Sequence, residues 1–237
     1  MLKGEKLHEG KAKIVYATSD PDRLIIEYKD TATAFDGKKR GIIPGKGELN
    51  NLISAYLFTR LEEAGIPTHY RGTLSGHEMA VIPLEIIMVE VVVRNIAAGS
   101  LCKRLGLEEG TAMPEPVVEF YYKDDSLGDP LINDDHARVL GLVTGAELEE
   151  LRAQARRVNA CLRPVLREAG LELVDFKLEF GRYKDRVVLG DEISPDTCRF
   201  WDVSTREKLD KDRFRRDMGG VEEAYREVYA RLMKQGR

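Results

Sequence analysis

The chain has 237 residues, 43% hydrophobic and 33% charged, with a formal net charge of −4 at pH 7; a chain of this length buries roughly 70–75% of its unfolded surface and forms one or two domains without stapling. The net negative charge argues against a general nucleic-acid binder, and three scattered cysteines, Cys102, Cys161 and Cys198, argue against a disulfide framework and for a reducing compartment. The N-terminus has no apolar signal-like stretch and the sequence has no run of ~18 apolar residues, so the expectation is a cytoplasmic protein with neither membrane nor nucleic acid as partner.

The first strand signals fall at residues 13–17 and 24–28, separated by the turn residues Ser19-Asp-Pro-Asp22. A helix is predicted over 47–64, because Leu49, Leu52, Ile53, Tyr56, Leu57 and Leu61 follow the i, i+3, i+4 rule and Gly65 is placed to end it. Residues 77–82 read as another strand. After Pro83, residues 85–94 form a longer strand rich in β-branched side chains. A lobe boundary is placed in this crossing, between Ile82 and Met88, giving lobes of residues 1–85 and 86–237. Residues 98–105 suggest a short helix, 117–122 a strand and 123–136 a polar loop. Thr144-Gly-Ala-Glu147 fits a capping box and opens a helix to about residue 169, with Pro164 expected to kink or interrupt it and Gly170 just beyond its end. An amphipathic helix from about 221 to 233 closes the chain. Strands and helices without strict βαβ alternation predict a two-lobed α+β fold with largely antiparallel sheets.

Four constellations carry candidate chemistry. Glu9-Gly-Lys-Ala-Lys13 combines a glycine, which lets backbone amides approach an anion, with two lysines; the local alternative is a hairpin turn with solvated lysines. Arg94-Asn95, followed by Ala97-Ala-Gly-Ser100, offers a guanidinium fork and free backbone N–H groups; the alternative is a capped helix start. Arg199, Lys211, Arg213, Arg215 and Arg216 form a basic sector, interleaved with Asp202, Asp210, Asp212 and Asp217, which by itself reads as a salt-bridged surface. In Val174-Asp-Phe-Lys-Leu-Glu-Phe-Gly181, alternation puts Val174, Phe176, Leu178 and Phe180 on one face of a strand and Asp175, Lys177 and Glu179 on the other. A turn over 181–185 and a returning strand over 186–190 then bring Asp191, Glu192 and Asp196 near that row. Carboxylates around one lysine suit a hard cation and a phosphate. The hairpin register is open, with Asp191 or Glu192 as second ligand, and a solvated charged face is the competing reading. His8, His69, His77 and His136 are isolated and read as ordinary surface or partly buried residues.

Taken together, these motifs, with Gly45-Lys-Gly47, Asn50-Asn51, Lys103-Arg-Leu-Gly106, Phe120-Tyr-Tyr-Lys-Asp124, Gly190-Asp-Glu-Ile-Ser-Pro-Asp196 and Asp210-Lys-Asp-Arg-Phe-Arg215, closely resemble the SAICAR synthetase family over essentially the whole chain. One departure is His8, where that family commonly has an aromatic residue. The resemblance implies a fold compared with protein-kinase-like and ATP-grasp-like nucleotide-binding architectures. It also implies an ATP- and Mg²⁺-dependent ligase of purine biosynthesis that joins the carboxylated aminoimidazole ribonucleotide (CAIR) to L-aspartate, acting as a homodimer. By that resemblance Gly10, Lys11, Lys13 and Lys123 would serve the ATP phosphates, and the crossing at Leu84 and Glu85 would meet adenine. Glu179 and Asp191 would hold Mg²⁺. Arg94, Ser100, Arg199 and Arg215 would anchor the CAIR phosphate, Asp175 and Lys177 would face the reacting centre, and Asp36 and Asp129 would be further substrate contacts. The alternatives are a small-molecule kinase on a similar two-lobed scaffold and a non-catalytic nucleotide-binding module.

Overall fold

The computed structural model describes residues 1–34 and 37–234. The first half is built on β1 (Lys6–Glu9), β2 (Lys13–Ala17), β3 (Leu24–Tyr28), β4 (Thr31–Ala34), β5 (Lys39–Ile42), α1 (Lys46–Glu63), β6 (Tyr70–Ser75) and β7 (Glu78–Val81). Five of these strands form an antiparallel sheet in the order β1-β2-β3-β7-β6, while β4 and β5 pair as a separate ribbon. The α1 helix packs against the sheet through Ile53, Leu57, Phe58 and Leu61. Its N-terminus is held by Asp30, whose carboxylate accepts hydrogen bonds from the backbone N–H groups of Gly45 (3.1 Å) and Gly47 (2.9 Å); a negative charge at this end also complements the helix dipole.

The second half comprises β8 (Glu85–Ile96), α2 (Ser100–Leu105), β9 (Ala112–Tyr122), β10 (Leu131–Ile132), α3 (Asp134–Val139), α4 (Gly145–Glu168), β11 (Leu171–Tyr183), β12 (Arg186–Leu189), β13 (Cys198–Asp202), α5 (Asp212–Arg215) and α6 (Val221–Lys234). Its antiparallel sheet runs β10-β9-β8-β11-β12, with β13 on the same edge of β11 as β12. Alternation along β8 decides what faces where. Ile87, Val89, Val91 and Val93 enter the core, and Ile86, Met88, Glu90, Val92 and Arg94 line a cavity on the opposite face. The main core is continuous from Ile26 and Met79 of the first sheet to Val91, Phe176 and Phe200 of the second, and α6 returns to pack on α1.

The strand β11 departs from the simple alternation expected for it. Leu173 and Phe176 both lie in the main core, whereas Val174 packs in a separate cluster with Ile96, Ala98 and Trp201. The register with β13 shifts between Leu173 and Asp175, so a bulge there sends Val174 away from Phe176, Leu178 and Phe180. The turn into β12 is also shorter than expected: Tyr183 pairs with Arg186, and Lys184 and Asp185 both have positive φ, +47° and +61°, as a two-residue primed hairpin turn requires. Gly181 lies within β11. A Cβ there would stand 2.6 Å from the Leu84 Cβ and 2.9 Å from the Glu85 carbonyl oxygen, so glycine lets the crossing between the two sheets lie directly on the hairpin.

Two other expectations are corrected in part. Of the kink or interruption expected at Pro164, the interruption does not occur: α4 runs unbroken from Gly145 to Glu168. Pro164 and Ala160, whose carbonyl loses its i+4 donor, are both exposed, and solvent can satisfy that carbonyl. Residues 123–136 are not a bare loop: Asp125–Leu127 is a 3-10 turn, β10 pairs with β9, and Asn133 opens α3 with a capping box to His136.

The capping box at Thr144 and Glu147 is present: Thr144 Oγ1 accepts from the Glu147 N–H (3.1 Å) and Glu147 accepts from the Thr144 N–H (2.7 Å). Replacing Thr144 by alanine removes one of these bonds and is expected to cost about 1 kcal/mol. In thermal unfolding that is a drop of roughly 2–4 °C for a chain of this size.

Candidate active site

A cavity of about 1170 Å³ lies between the two sheets, larger than the ~300–1,000 Å³ typical of a single small-molecule site. Its lining holds most of the residues singled out from sequence: Gly10, Lys11, Lys13, Leu84, Arg94, Ser100, Lys123, Asp129, Asp175, Lys177, Glu179, Asp191, Arg199 and Arg215. Glu85 is not among them. It sits out of phase with Leu84, Ile86 and Met88, and its carboxylate pairs with Arg182 at 3.0 Å. Asp36 lies outside the described residues.

At one end of the cavity, lysines and carboxylates interlock. Lys177 Nζ donates to Glu90 (2.9 Å) and to Glu179, and lies 3.6 Å from Asp191. Lys123 donates to Glu179 at 2.9 Å. Lys13 bonds Asp191 and lies 2.9 Å from Glu192. Glu192 also accepts from the Ser194 hydroxyl, which draws it away from Lys177, so Asp191 and not Glu192 shares that lysine with Glu179. Burial alone would raise the Asp191 pKa, but Lys13 and Lys177 hold it well below the usual carboxylate range. Burial likewise opposes the charge on Lys177, and Glu179, Asp191 and Glu90 restore it, lifting its pKa well above that of a free lysine. Glu90 differs in that burial prevails and its pKa is raised. It faces Glu179 directly across β8 and β11, an unfavourable like-charge pair that Lys177 bridges.

At the other end, Asp175 joins two arginines. Its carboxylate accepts from Arg94 (2.9 Å) and from Arg199 (2.7 and 3.0 Å), and only 4% of the residue is exposed. Arg94 is further fixed by Glu119 (2.6 Å), the Tyr121 hydroxyl (3.0 Å) and Ser100 (3.3 Å). Arg199 and Arg215 share Asp212, at 3.0 and 2.7 Å. Gly99, at φ +57°, leaves room for the Arg199 guanidinium, with which a Cβ would collide. The arginines of the basic sector are therefore salt-bridged, Arg199, Arg215 and Arg216 through the interleaved Asp212 and Arg213 through Glu207, and Arg199 and Arg215 also line the cavity.

Behind Arg199, Asp210 is fully buried and accepts from the N–H groups of Phe200 (3.0 Å) and Asp212 (2.7 Å). Burial, with the charge of Asp212, pushes its pKa up to about 7. The unfolded value is near 3.9, so between those limits the folded chain holds a proton that the unfolded chain has lost, and this contribution to stability is full below pH ~4 and lost as pH rises through 7. Asp210→Asn, which mimics the protonated form, should therefore gain in melting temperature on wild type as pH goes from 5 to 8. A constant difference across that range would contradict the assignment.

Several participants escaped the sequence reading. Glu90 stands four residues before Arg94 on the same face of β8, a period-2 signal that was legible. His69 lines the cavity; burial drives its pKa down to about 3, so the ring is neutral, and its edge meets the Phe58 ring with centroids 5.3 Å apart. Glu119 gave no local signal, whereas Lys46 and Asp196, both within quoted motifs, pair with each other at 2.7 Å. The cysteines are all free, and no helix among the described residues is long and apolar enough to cross a membrane.

The family model for SAICAR synthetase matches residues 6–232. The chain belongs to the SAICAR synthetase family. A phosphoribosylaminoimidazole-succinocarboxamide synthase of Brevibacillus brevis is 61% identical over 233 residues, covering 98% of each chain. The crystal structure of the synthase from Ehrlichia chaffeensis superposes with a TM-score of 0.94 at 46% identity, covering 96% of this chain and 98% of that one. A SAICAR synthetase in complex with ADP superposes with a TM-score of 0.92 at 52% identity, covering 95% and 96%. Membership in the SAICAR synthetase family makes this chain an ATP-dependent ligase of purine biosynthesis and sets aside the small-molecule kinase reading.

Proposed function

We propose that the cavity activates the carboxylate of CAIR with ATP and hands it to the amine of L-aspartate, and that the nucleotide lies between the lobes of residues 1–85 and 86–237. The observation that carries this reading is the presence, in one cavity, of a lysine–carboxylate end and an arginine end. A carboxylate is a poor acyl donor, being anionic and without a good leaving group. When its oxygen attacks the γ-phosphorus, ADP leaves. The aspartate amine then attacks the carbonyl carbon, phosphate departs with the former carboxylate oxygen, and the nitrogen loses a proton. Such chemistry asks the protein mainly for positioning and charge.

Gly10, Lys11, Lys13 and Lys123 take the nucleotide phosphates, and Leu84, Ile86 and Met88 form an apolar wall for adenine, with backbone groups near Glu85 beside it. Lys177 neutralises the transferring phosphoryl group. Arg94, Ser100, Arg199 and Arg215 take the CAIR phosphate, and Asp129 borders the substrate. Asp175 is a positioning residue: both of its oxygens are committed to arginines. Glu179 and Asp191 offer hard carboxylate oxygens around a shared lysine, a donor set suited to Mg²⁺, which takes one or two carboxylates and leaves its other positions to water and phosphate; such an ion would supply further charge neutralisation. We further propose, from the family resemblance, that the enzyme acts in the cytoplasm as a homodimer.

The test is isotopic. CAIR labelled with ¹⁸O in its carboxylate should yield phosphate carrying one ¹⁸O per turnover. Unlabelled phosphate would contradict activation of that carboxylate.

A further inference from the structure

The cations that border the cavity are nearly all matched to an acid. Lys11 lies 2.7 Å from Asp125, Lys13 2.9 Å from Glu192, Lys123 2.9 Å from Glu179 and Lys177 2.9 Å from Glu90. Arg94 lies 2.9 Å from Asp175, Arg199 2.7 Å from Asp175 and Arg215 2.7 Å from Asp212. Lys211 is different. Its closest carboxylate oxygen among the described residues, Asp196 Oδ2, is 3.8 Å away. That oxygen already accepts from Lys46 at 2.7 Å, and Asp196 Oδ1 accepts from the Tyr225 hydroxyl at 2.7 Å. Lys211 nevertheless lines the cavity with only 14% of its side chain exposed. Burial, reinforced by the charges of Arg215 and Lys46 and only partly offset by Asp196, brings its pKa below that of an ordinary lysine. A desolvated ammonium without a hydrogen-bonded counter-charge destabilises a fold, and a cation retained at such a cost inside a cavity calls for an anion from outside the protein.

We propose that Lys211 holds a carboxylate of the amino-acid substrate. The inference rests on the ligase reading above and deepens it. Three anionic molecules must share the cavity. The lysines at one end answer the nucleotide, and the Asp175-bridged arginines answer the ribonucleotide phosphate, but neither set leaves a cation for the dicarboxylate of L-aspartate. Lys211 lines the same cavity as both ends, and it feels the charge of Glu192, the partner of Lys13, and that of Arg215. Its backbone is fixed, with its N–H donating to the Pro195 carbonyl at 3.0 Å. A carboxylate held there leaves the α-amine of the same molecule free to reach toward the activated carbonyl between the two ends.

Lys211→Met and Lys211→Gln test this in the full-length enzyme by steady-state kinetics with each substrate varied in turn, alongside thermal melting. The expected result is a rise in KM for L-aspartate on the order of 30-fold or more, the range for truncating one partner of a buried charge pair, with KM for CAIR and for ATP within about threefold of wild type. The melting temperature should stay within a few degrees of wild type, because Lys211 makes no hydrogen bond to Asp196, which keeps Lys46 and Tyr225. An unchanged KM for L-aspartate overturns the proposal, as does a rise confined to KM for CAIR, which would move Lys211 to the phosphate subsite. A lowered melting temperature with all three constants shifted would assign it a structural role instead. Failure of the unaltered enzyme to form product from the three substrates would refute the underlying ligase reading, and that outcome is separate from any effect of the variants.

Discussion

Glu179→Gln and Asp191→Asn should each lower turnover by about 10²–10³-fold, the loss seen when one preorganised electrostatic group is removed from a site of charge transfer. Both substitutions keep the shape of the side chain and delete only its charge. Neither should unfold the protein. In Glu179→Gln, Lys177 keeps Glu90 at 2.9 Å and Asp191 at 3.6 Å. In Asp191→Asn, Lys13 keeps Glu192 at 2.9 Å. Thermal melting within a few degrees of wild type, together with the loss of turnover, is the expected pair of results. Near-normal turnover in both variants would remove these carboxylates from phosphoryl transfer and from any role as Mg²⁺ ligands.

Asp175→Asn should act on stability as well as on catalysis. One buried carboxylate serves both Arg94 and Arg199, and breaking a buried pair by removing one partner typically costs 3–5 kcal/mol. Here each arginine keeps a second acid, Glu119 for Arg94 and Asp212 for Arg199, so a smaller loss of about 2–4 kcal/mol is expected. For a chain of this length that is a fall in melting temperature on the order of 10 °C. Inorganic phosphate should restore part of it, because an anion that binds only the folded state raises stability by mass action, and the variant should gain more from phosphate than wild type does. An unchanged melting temperature would show that Asp175 does not hold the two arginines together.

The legible parts of this fold were those governed by short-range patterns. The α1 helix and its end at Gly65 followed from apolar spacing and a glycine, and the α4 helix opened at its capping box. The strands β2 and β3 showed in runs of β-branched and aromatic residues. The illegible parts depended on partners distant in sequence. The bulge that turns Val174 away from its neighbours answers to the pairing of β11 with β13, more than twenty residues on. The unbroken passage of α4 through Pro164 depended on which face of the helix meets solvent. Within the site, Lys177, Glu179 and Asp191 stood out because they lie on two arms of one hairpin, whereas Glu119 came into view only when β9 was placed beside β8, and the pairing of Asp196 with Lys46 only when α1 met the turn at Ser194. That Asp191, and not Glu192, shares Lys177 with Glu179 likewise needed the three-dimensional structure, where the Ser194 hydroxyl engages Glu192.

A ligase of this kind couples phosphate release to amide formation. ADP, phosphate and the succinocarboxamide should be measured together, with ATP, CAIR and L-aspartate each omitted in turn. The expected result is equal amounts of all three products with the complete mixture and negligible product when any one substrate is missing. ADP formed without free phosphate, with the phosphoryl group retained on a stable product, would contradict it.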